Sequence, residues 1–398
     1  MVLGLSVGPA VALGLSRFAY ALLLPSMRLN LHWSFATAGA LNTANALGYL
    51  VGALLTTPSV RRWGVRRSFI SGLIVSVLVL IMTGSSGNIL ILMALRSLSG
   101  IAGAVTFITG AGLVAMVVSD KDPRQIASRL GIYFSGAGAG IVASGIGIPY
   151  LLSVTNLADG WRYGWIFLAG LGILALIVGI PVALACDEPP AQPLASRGWP
   201  ARHFSRILMS YTLFGAGYIA YMTFIVAFIK GHGIKSGEIT AFWVVLGCAS
   251  MAGAVIWARP IARMRGGRGP AVVLAAVSAG ALLPLVSHST GAAIGSAVLF
   301  GGSFLSVVTS VTLVVRRSVE PYHWTAAIAG LTIAFALGQS IGPLLAGVLS
   351  DGPAGLSLGL DLSVGVLVAA TLISLTQRHY ETPNLWVSAN TNTPKGHR

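Results

Sequence analysis

Two arginines lie inside long apolar stretches of the chain, away from the charged positions that separate these stretches. Arg17 lies in the first stretch and Arg96 in the fourth. If the stretches cross a bilayer, a cation near the bilayer centre costs at least about 2.5–3.5 kcal/mol, so such residues usually face a cavity or pair with another group. A guanidinium presents a planar fork of N–H donors that matches a carboxylate or a phosphate. The two arginines therefore predict an anion site inside the membrane.

Acidic residues do not balance these two cations inside the apolar stretches. The acidic residues that fall within or beside these stretches lie near the stretch ends, at Glu238, Glu320, Asp351 and Asp361. The alternative for each arginine is a structural role, in which the guanidinium donates to backbone carbonyls of glycine-rich helices and holds them in register. For Arg17 we favour exposure to a cavity. For Arg96 both roles stay open.

Further polar and aromatic residues recur at helical spacing. Asn42, Asn45 and Tyr49 share one face of a helix, at positions i, i+3 and i+7. Similar stripes are formed by Tyr211, Phe214, Tyr218 and Tyr221, and by Ser303, Ser306 and Ser310. Such residues either line a path for a solute or form interhelical hydrogen bonds, worth about 0.6 kcal/mol on average. We favour the second role for the serines and the first for the asparagines and tyrosines. The candidate substrate-binding residues are Arg17, Tyr20, Asn42, Asn45, Arg96, Tyr218, Tyr221 and Gln339.

Motifs for catalysis or for a cofactor do not occur in the sequence. The glycine run at residues 136–140 lacks the lysine and the preceding strand of a phosphate-binding loop. Cys186 and Cys248 form neither a metal-ligand spacing nor a disulfide framework. We therefore expect no cofactor, no bound metal and no enzymatic activity.

The composition places these residues in a membrane protein. Of 398 residues, 55% are hydrophobic and only 9% are charged, whereas a soluble domain carries about 25% charged residues. Glycine occurs 50 times, and small residues let helices approach closely in lipid, where no hydrophobic force drives them together. The chain could not cover a water-exposed surface, so most of its surface must face lipid.

Twelve apolar stretches are long enough to cross a bilayer, which needs roughly 20 residues per helix. They are continuous and do not alternate with period two, which excludes a transmembrane barrel. We predict an all-α fold of twelve transmembrane helices. The predicted spans are about residues 3–27, 36–60, 68–86, 88–118, 125–153, 162–185, 204–230, 237–262, 270–287, 290–316, 322–350 and 355–377. The first lacks a basic leading region and is too long for a signal peptide.

The cations predict the orientation. If the amino terminus lies in the cytoplasm, 19 of the 25 lysines and arginines fall on the cytoplasmic side and four, Arg28, Arg162, Lys230 and Lys235, fall outside. Cytoplasmic loops carry such an excess, so both termini should be cytoplasmic. The net charge of +15 therefore reflects membrane topology, and we expect no nucleic-acid partner.

The chain divides into two similar halves. The longest polar break, at residues 186–203, has six predicted helices on each side. A basic turn follows the second helix of each half, at 61–67 and at 263–268. Internal repeats of this kind are common in transporters. We predict one six-helix bundle at 1–185, a cytoplasmic linker at 186–203, a second bundle at 204–377 and a cytoplasmic tail at 378–398.

Several motifs resemble those of the major facilitator superfamily. The basic turn resembles the family's loop between helices two and three at Gly64, Arg66 and Arg67, although Arg61 stands where the family has an acid. Arg96 to Gly100 is similar to an Arg-x-x-x-Gly motif of the fourth helix, and residues 161–165 (WRYGW) are also typical. In the eleventh helix Gly338, Gly342 and Pro343 resemble a glycine–proline motif of bending helices.

A narrower resemblance lies at the amino end, where residues 14–20 (GLSRFAY), 24–27 (LPSM) and 48–52 (GYLVG) are similar to the bacterial YbfB/YjiJ-type subgroup. The resemblance implies two pseudo-symmetric six-helix bundles, with helices one and four lining a central cavity. It also implies a bacterial inner-membrane location and a monomer. It implies gating roles for Gly64, Arg66, Arg67, Gly338, Gly342 and Pro343.

These observations predict a secondary active transporter that works by alternating access, in which the two halves rock around a site near the bilayer midplane. No nucleotide-binding motif occurs, so ion or solute gradients would supply the energy. The arginines favour a small organic anion as substrate. Without a deep carboxylate, coupling would run through the substrate, as proton-plus-acid symport or as anion exchange. The alternative is proton-coupled efflux of sugars or amphipathic drugs. A receptor that binds without transport is a rival from another class.

Overall fold

The computed structural model describes residues 1–117, 123–155, 159–186, 199–320 and 323–380. Within these ranges, twelve helices are long and apolar enough to cross a membrane, as predicted. They are α1 (Val2–Asn30), α2 (Phe35–Trp63), α3 (Val65–Ser85), α4 (Ile89–Val117), α5 (Pro123–Thr155), α6 (Trp161–Leu184), α7 (Ser205–Gly231), α8 (Ser236–Arg263), α9 (Arg268–Val286), α10 (Thr290–Ser318), α11 (Trp324–Ser350) and α12 (Leu356–Leu375). Most of the predicted linker and tail, at 187–198 and 381–398, lies outside the described residues.

Helix ends follow local sequence signals. Ser34 begins α2 by accepting a hydrogen bond from the Thr37 backbone N–H at 3.1 Å, and Ser289 caps α10 in the same way, as short hydroxyl side chains do at helix starts. Gly64 has φ +82° and joins α2 to α3 without a longer loop. Only glycine adopts this conformation without steric cost.

The helix α1 is irregular at its centre. It is π-helical from Ala10 to Phe18, and the Ala19 N–H donates to the Gly14 carbonyl oxygen, five residues earlier, at 3.1 Å. Such widened turns are rare in helices and frequently occur at functional sites. Arg17 lies within this segment.

The two halves repeat the same packing. In the first half, Gly48 of α2 lies against the Ser97 backbone of α4. In the second half, Gly253 of α8 lies against the Gly302 backbone of α10, six helices later. An added Cβ at either glycine would overlap a backbone carbonyl of the partner helix. Close helix pairs at equivalent places support the predicted pseudo-symmetry of the two bundles, α1–α6 and α7–α12.

Close contacts of glycines with carbonyls join the bundles at α2–α11 and at α5–α8. Gly39 of α2 lies against the Pro343 carbonyl of α11, and Gly138 of α5 lies against the Gly247 carbonyl of α8. At the end of α11, the Asp351 carboxylate accepts hydrogen bonds from the first backbone N–H groups of α2, at 2.7 and 2.9 Å. A carboxylate is favourable there because a helix N-terminus carries partial positive charge.

These contacts close one face of the molecule. Consecutive helices run in opposite directions, so Met1 and the α2–α3 and α8–α9 loops lie on one face, which we call the termini face. The α1–α2 and α11–α12 loops lie on the other, which we call the opposite face. Gly39 and Asp351 lie near the opposite face, and the two bundles are therefore closed together at that face.

A bulkier residue at Gly39 should open the opposite face, because the new side chain would overlap the Pro343 carbonyl. A reporter is Ala38→Cys, a position that is fully buried in the closed form, in a background with both native cysteines replaced by serine. We expect Gly39→Val to raise its labelling rate by maleimide at least about tenfold, since about 1.4 kcal/mol shifts an equilibrium by that factor.

The matched control is Gly170→Val, because nothing lies within 4 Å of a Cβ at Gly170. An unchanged labelling rate in a folded Gly39→Val protein would show that this contact does not hold the face closed.

Candidate substrate site between the bundles

The Arg96 guanidinium is fully enclosed and lies between α1 and α2. Its Nη1 donates to the Ser16 backbone carbonyl at 2.5 Å, and its Nη2 donates to Asn42 Oδ1 at 3.0 Å. The guanidinium carbon is 4.9 Å from the centre of the Tyr20 ring and 5.9 Å from the Trp165 ring. Aromatic faces stabilise a cation in such positions, so neutral groups hold this charge.

The Arg17 guanidinium has fewer hydrogen bonds. Its Nη2 donates to Gln339 Oε1 at 2.5 Å, across the interface between the bundles. The guanidinium carbon lies 5.6 Å from the centre of the Tyr49 ring. Its Nε has no hydrogen-bond partner among the described residues, and the same holds for Nε of Arg96. Unused buried donors of this kind are uncommon in proteins and call for a physical explanation.

Each arginine is linked through one amide side chain to α7 of the other bundle. Gln339 Nε2 donates to the Tyr218 hydroxyl at 2.9 Å, and Asn42 Nδ2 donates to the Thr223 hydroxyl at 2.6 Å. Each amide thus accepts from an arginine with its oxygen and donates to a hydroxyl with its nitrogen. We call Arg17, Arg96, Asn42 and Gln339 the polar bridge. It joins the two bundles within the membrane-spanning helices.

The charge of the polar bridge is not compensated within the protein. Arg17 and Arg96 are 4% and 1% exposed, and the buried side chains of the described residues include no Asp or Glu. Within the described ranges, the oxygens that accept from the two guanidiniums belong to amides or to the backbone. A buried charge is costly unless it is paired. The site therefore favours an added anion.

An apolar surface lies beside Arg17. The rings of Tyr218 and Phe335 stack at 5.5 Å between centroids, and Tyr218 also stacks on Phe304 at 6.1 Å. Phe18 of α1 meets Phe304 edge-on at 5.8 Å across the bundle interface. We call these four residues the aromatic wall. Its position next to a cation suits a ligand with an anionic end and a flat apolar body.

Several predicted residues meet in the polar bridge, and others lie elsewhere. Asn45 donates to the Arg96 backbone carbonyl at 3.1 Å and so joins α2 to α4. Tyr221 forms a hydrogen bond with Ser296 inside the second bundle. Tyr20 places its ring beside Arg96, while its hydroxyl donates to the Ala38 carbonyl at 2.9 Å. Their predicted contact with a substrate remains a prediction.

The predicted exposure of Arg17 to a cavity is not seen in this conformation. The physical reason is that the bundles are closed together and Gln339 fills the position in front of the guanidinium.

The predicted gating residues occupy two regions. Gly64, Arg66 and Arg67 lie at the termini face, where Arg66 donates to the Leu184 carbonyl at the end of α6 at 3.3 Å. The eleventh-helix residues divide between two contacts. Gly338 and Gly342 pack against the α7 backbone, at Thr212 and Ala216, within the second bundle, whereas Pro343 contacts α2 of the first bundle through Gly39.

Sequence reasoning missed Thr223, Trp165 and the aromatic wall residues Phe18, Phe304 and Phe335. Thr223 lies two residues after Tyr221 and five after Tyr218, so its nearness to the tyrosine stripe was the available signal. The Trp165 ring belongs to the 161–165 motif, and nothing in the local sequence indicates that it contacts Arg96.

Comparison with known proteins gives the family. The family described as "Uncharacterised MFS-type transporter YbfB" matches residues 9–375, which is nearly the whole chain. The chain belongs to this YbfB-type family of the major facilitator superfamily. The YbfB-type chain described above is therefore a multi-pass membrane protein and a secondary transporter, and the predicted family and fold are confirmed.

Relatives of this YbfB-type transporter include two curated proteins that it matches over most of their length. It is 25% identical over 372 residues to the "Uncharacterized transporter YycB" of Bacillus subtilis, covering 91% of this chain and 86% of the relative. It is 30% identical over 383 residues to the "Chloramphenicol resistance protein" of Streptomyces lividans, covering 91% and 92%.

Solved structures support the fold of the YbfB-type transporter. A variant of the nucleoside transporter NupG superposes with a TM-score of 0.72 at 12% identity, covering 94% of this chain and 99% of that chain. A bacterial homologue of the human lysosomal transporter Spinster superposes with a TM-score of 0.68 at 15% identity, covering 98% and 96%. At these identities the likeness shows the fold alone.

A double-mutant cycle tests whether Arg17 and Gln339 are coupled across the interface. We expect Arg17→Met and Gln339→Leu each to raise labelling of the Ala38→Cys reporter, because each removes the same bond from the closed form. The two effects should not add, with a coupling energy of about 0.5–3 kcal/mol, as for residues in direct contact.

The control is Ser303→Ala, which removes a hydrogen bond from Trp257 that lies within the second bundle, at 3.2 Å. It should leave the labelling rate unchanged. Fully additive effects of the Arg17 and Gln339 substitutions would mean that the bond between them does not hold the bundles together.

Proposed function

We propose that this transporter moves a small organic anion with an apolar or aromatic body by alternating access, without altering the solute chemically. The observation that carries the proposal is the pair of buried arginines. They have unused donors, and the buried residues of the described chain include no acid. A carboxylate would supply the missing negative charge and accept hydrogen bonds from those donors.

The two arginines have different parts in this proposal. Both terminal nitrogens of Arg96 already donate, to Ser16 and to Asn42, so Arg96 holds α1 and α2 in place. Arg17 keeps more of its donors free and lies beside the aromatic wall. Arg17 is therefore the residue that binds the carboxylate, while Tyr218 and Phe335 contact the apolar body.

Substrate binding and opening would be coupled through Gln339. The Gln339 oxygen occupies a donor of Arg17. A carboxylate would bind that donor more strongly, because it carries a full negative charge and can accept two parallel N–H bonds from one guanidinium. An arriving anion would displace Gln339 and release one link between the bundles. The bundles at 1–185 and 204–377 would then rock about the site, joined by the 186–203 linker, with bending at Gly338, Gly342 and Pro343.

The setting follows the charge pattern. The termini face carries most of the cations and would lie in the cytoplasm, with both chain ends, in a bacterial inner membrane. The transporter would work as a monomer and without a cofactor. Protons are the proposed coupling ion. Because no buried acid accompanies the arginines among the described residues, the proton would travel on the substrate as its undissociated acid, or one anion would exchange for another.

A second candidate is efflux of neutral amphipathic compounds. The aromatic wall would bind such compounds without an anionic group, and a relative of similar length is named a chloramphenicol resistance protein. In this case Arg17 and Arg96 would serve only to hold the helices, and transport would not prefer anions.

Counterflow in proteoliposomes tests the anion proposal. Vesicles loaded with unlabelled 3-phenylpropanoate should accumulate the labelled compound. Arg17→Gln should lower the apparent affinity about ten- to hundredfold, since a hydrogen bond to a charged group is worth about 1.5–3 kcal/mol. The neutral amide of the same acid should not exchange.

The matched control is Arg162→Gln, which removes an arginine that lies on Trp161 at the opposite face, 4.5 Å from the ring centre, and away from the polar bridge. Its counterflow should equal that of the unaltered protein. Equal counterflow by Arg17→Gln would refute the anion site.

The efflux alternative has a separate readout. If it is correct, expression in a drug-sensitive bacterial host raises the inhibitory concentration of chloramphenicol, dissipating the pH gradient abolishes the protection, and Arg17→Gln retains it. Anion counterflow that depends on Arg17, with no protection from chloramphenicol, favours the first proposal instead.

A further inference from the structure

A basic cleft lies at the termini face of the second bundle, far from the polar bridge. The space among its lining residues, counting the part that is open solvent, is about 280 Å³. The ends of α8, α9 and α10 form its walls, together with the segment that follows α12. We call it the termini-face cleft. The transport mechanism proposed above does not use it.

The floor of the cleft is fixed by contacts between the α8–α9 loop and the end of α12. The Gly267 N–H donates to the Gln377 carbonyl at 3.1 Å, and the Ser374 hydroxyl donates to the Gly267 carbonyl at 2.9 Å. A Cβ at Gly267 would overlap the Ser374 carbonyl. Gly266 has φ +58°, which favours glycine. These contacts join the loop that carries Arg265 to the segment that carries His379, and both residues line the cleft.

Three basic side chains line the cleft: Arg265, Arg317 and His379. Arg317 is held in place because it donates to the Ala262 and Met264 carbonyls, at 2.9 and 3.2 Å. Among the described residues that line the cleft there is no Asp or Glu. The N-terminus of α9, at Arg268, adds partial positive charge beside these cations. The cleft therefore presents two arginines and a helix N-terminus, with no acidic side chain among the described residues that line it.

Apolar side chains also line the cleft, and exposed apolar side chains occur on the helices that form it. Ile261, Leu313 and Pro270 are among the lining residues. On the adjoining helices α8 and α9, Ile256 and Val272 are 62% and 40% exposed, as expected of residues that face acyl chains. A site with a basic mouth at the level of the headgroups and an apolar flank has the chemistry to bind an anionic lipid.

We propose that the termini-face cleft binds the phosphate headgroup of an anionic phospholipid from the adjacent leaflet. The phosphate accepts hydrogen bonds from Arg265 and His379, and the acyl chains lie along α8 and α9. The shared chemistry is a phosphate anion, and the apolar flank favours a lipid over free phosphate as its source.

The test is native mass spectrometry of the full-length transporter after reconstitution with phosphatidylglycerol or with phosphatidylcholine. The unaltered protein should retain phosphatidylglycerol in preference. The double variant Arg265→Gln/His379→Gln should retain at least about fivefold less phosphatidylglycerol, since each cation near a surface contributes roughly that factor to the binding of anionic lipid. Arg317 is left intact because it also caps α8.

The matched control is Arg263→Gln. It removes an exposed arginine from the last turn of α8 that does not line the cleft, and its lipid retention should equal that of the unaltered protein. If Arg263→Gln lowers retention as much as the double variant, general surface charge binds the lipid and the proposal is overturned.

Inorganic phosphate separates the two sources. If phosphate raises the melting temperature of the detergent-purified protein, and the double variant abolishes this effect while lipid retention is unchanged, the site takes free phosphate and the lipid assignment is wrong. If neither phosphatidylglycerol nor phosphate binds in a way that depends on Arg265 and His379, the cleft is not an anion site.

Discussion

The structure depends on one electrostatic constraint: two guanidinium groups are buried at the interface of two helix bundles, and no buried carboxylate faces them in the described chain. Only neutral oxygens and aromatic rings hold the two charges. This arrangement keeps the arginines in the membrane interior at a cost that an incoming anion would lower. Both amides that satisfy the arginines also bind α7 of the second bundle. The charge that would bind a solute is thus also part of what holds the bundles together.

Close helix packing makes this arrangement compatible with movement. Within each bundle, glycines bring helices into backbone contact, as Gly48 does in the first half and Gly253 in the second. Each bundle can therefore move as a unit. Between the bundles, the contacts include a glycine against a carbonyl at Gly39, a carboxylate on a helix end at Asp351, the edge-on rings of Phe18 and Phe304 and the amides of the polar bridge. The net contribution of a hydrogen bond is small, about 1 kcal/mol between neutral groups and about 1.5–3 kcal/mol where one group is charged, so these bonds can exchange at low cost.

The sequence predicted the helices well because their signal is local. An apolar stretch of sufficient length determines a span, and all twelve spans agree with the structure. The buried cations were also predictable, because a charge within an apolar stretch is conspicuous. Their partners were harder to find. Arg17 and Gln339 are separated by 322 positions. The periodicity within one helix does not show which other helix packs against it.

Residue spacing also does not determine which partner each side chain of a stripe contacts. Asn42 and Asn45 lie on the same side of α2, yet one contacts the Arg96 guanidinium and the other the Arg96 backbone. Tyr218 and Tyr221 differ similarly, because a shift of three residues along α7 moves the side chain from Gln339 to Ser296. Gly338 and Gly342 resemble bending residues in the sequence, and in this structure they also pack α11 against α7, a contact that the spacing alone does not indicate.

We infer that the buried guanidiniums bind a negative charge. Isothermal titration calorimetry of the purified protein with 3-phenylpropanoate and with 3-phenylpropanamide tests this inference, because the two ligands share one apolar body and differ in charge. We expect a dissociation constant at least about tenfold lower for the carboxylate, the lower end expected of one charge-assisted hydrogen bond, with the difference lost in Arg17→Gln. Equal affinity for the two ligands, or a preference for the carboxylate that survives in Arg17→Gln, would contradict it.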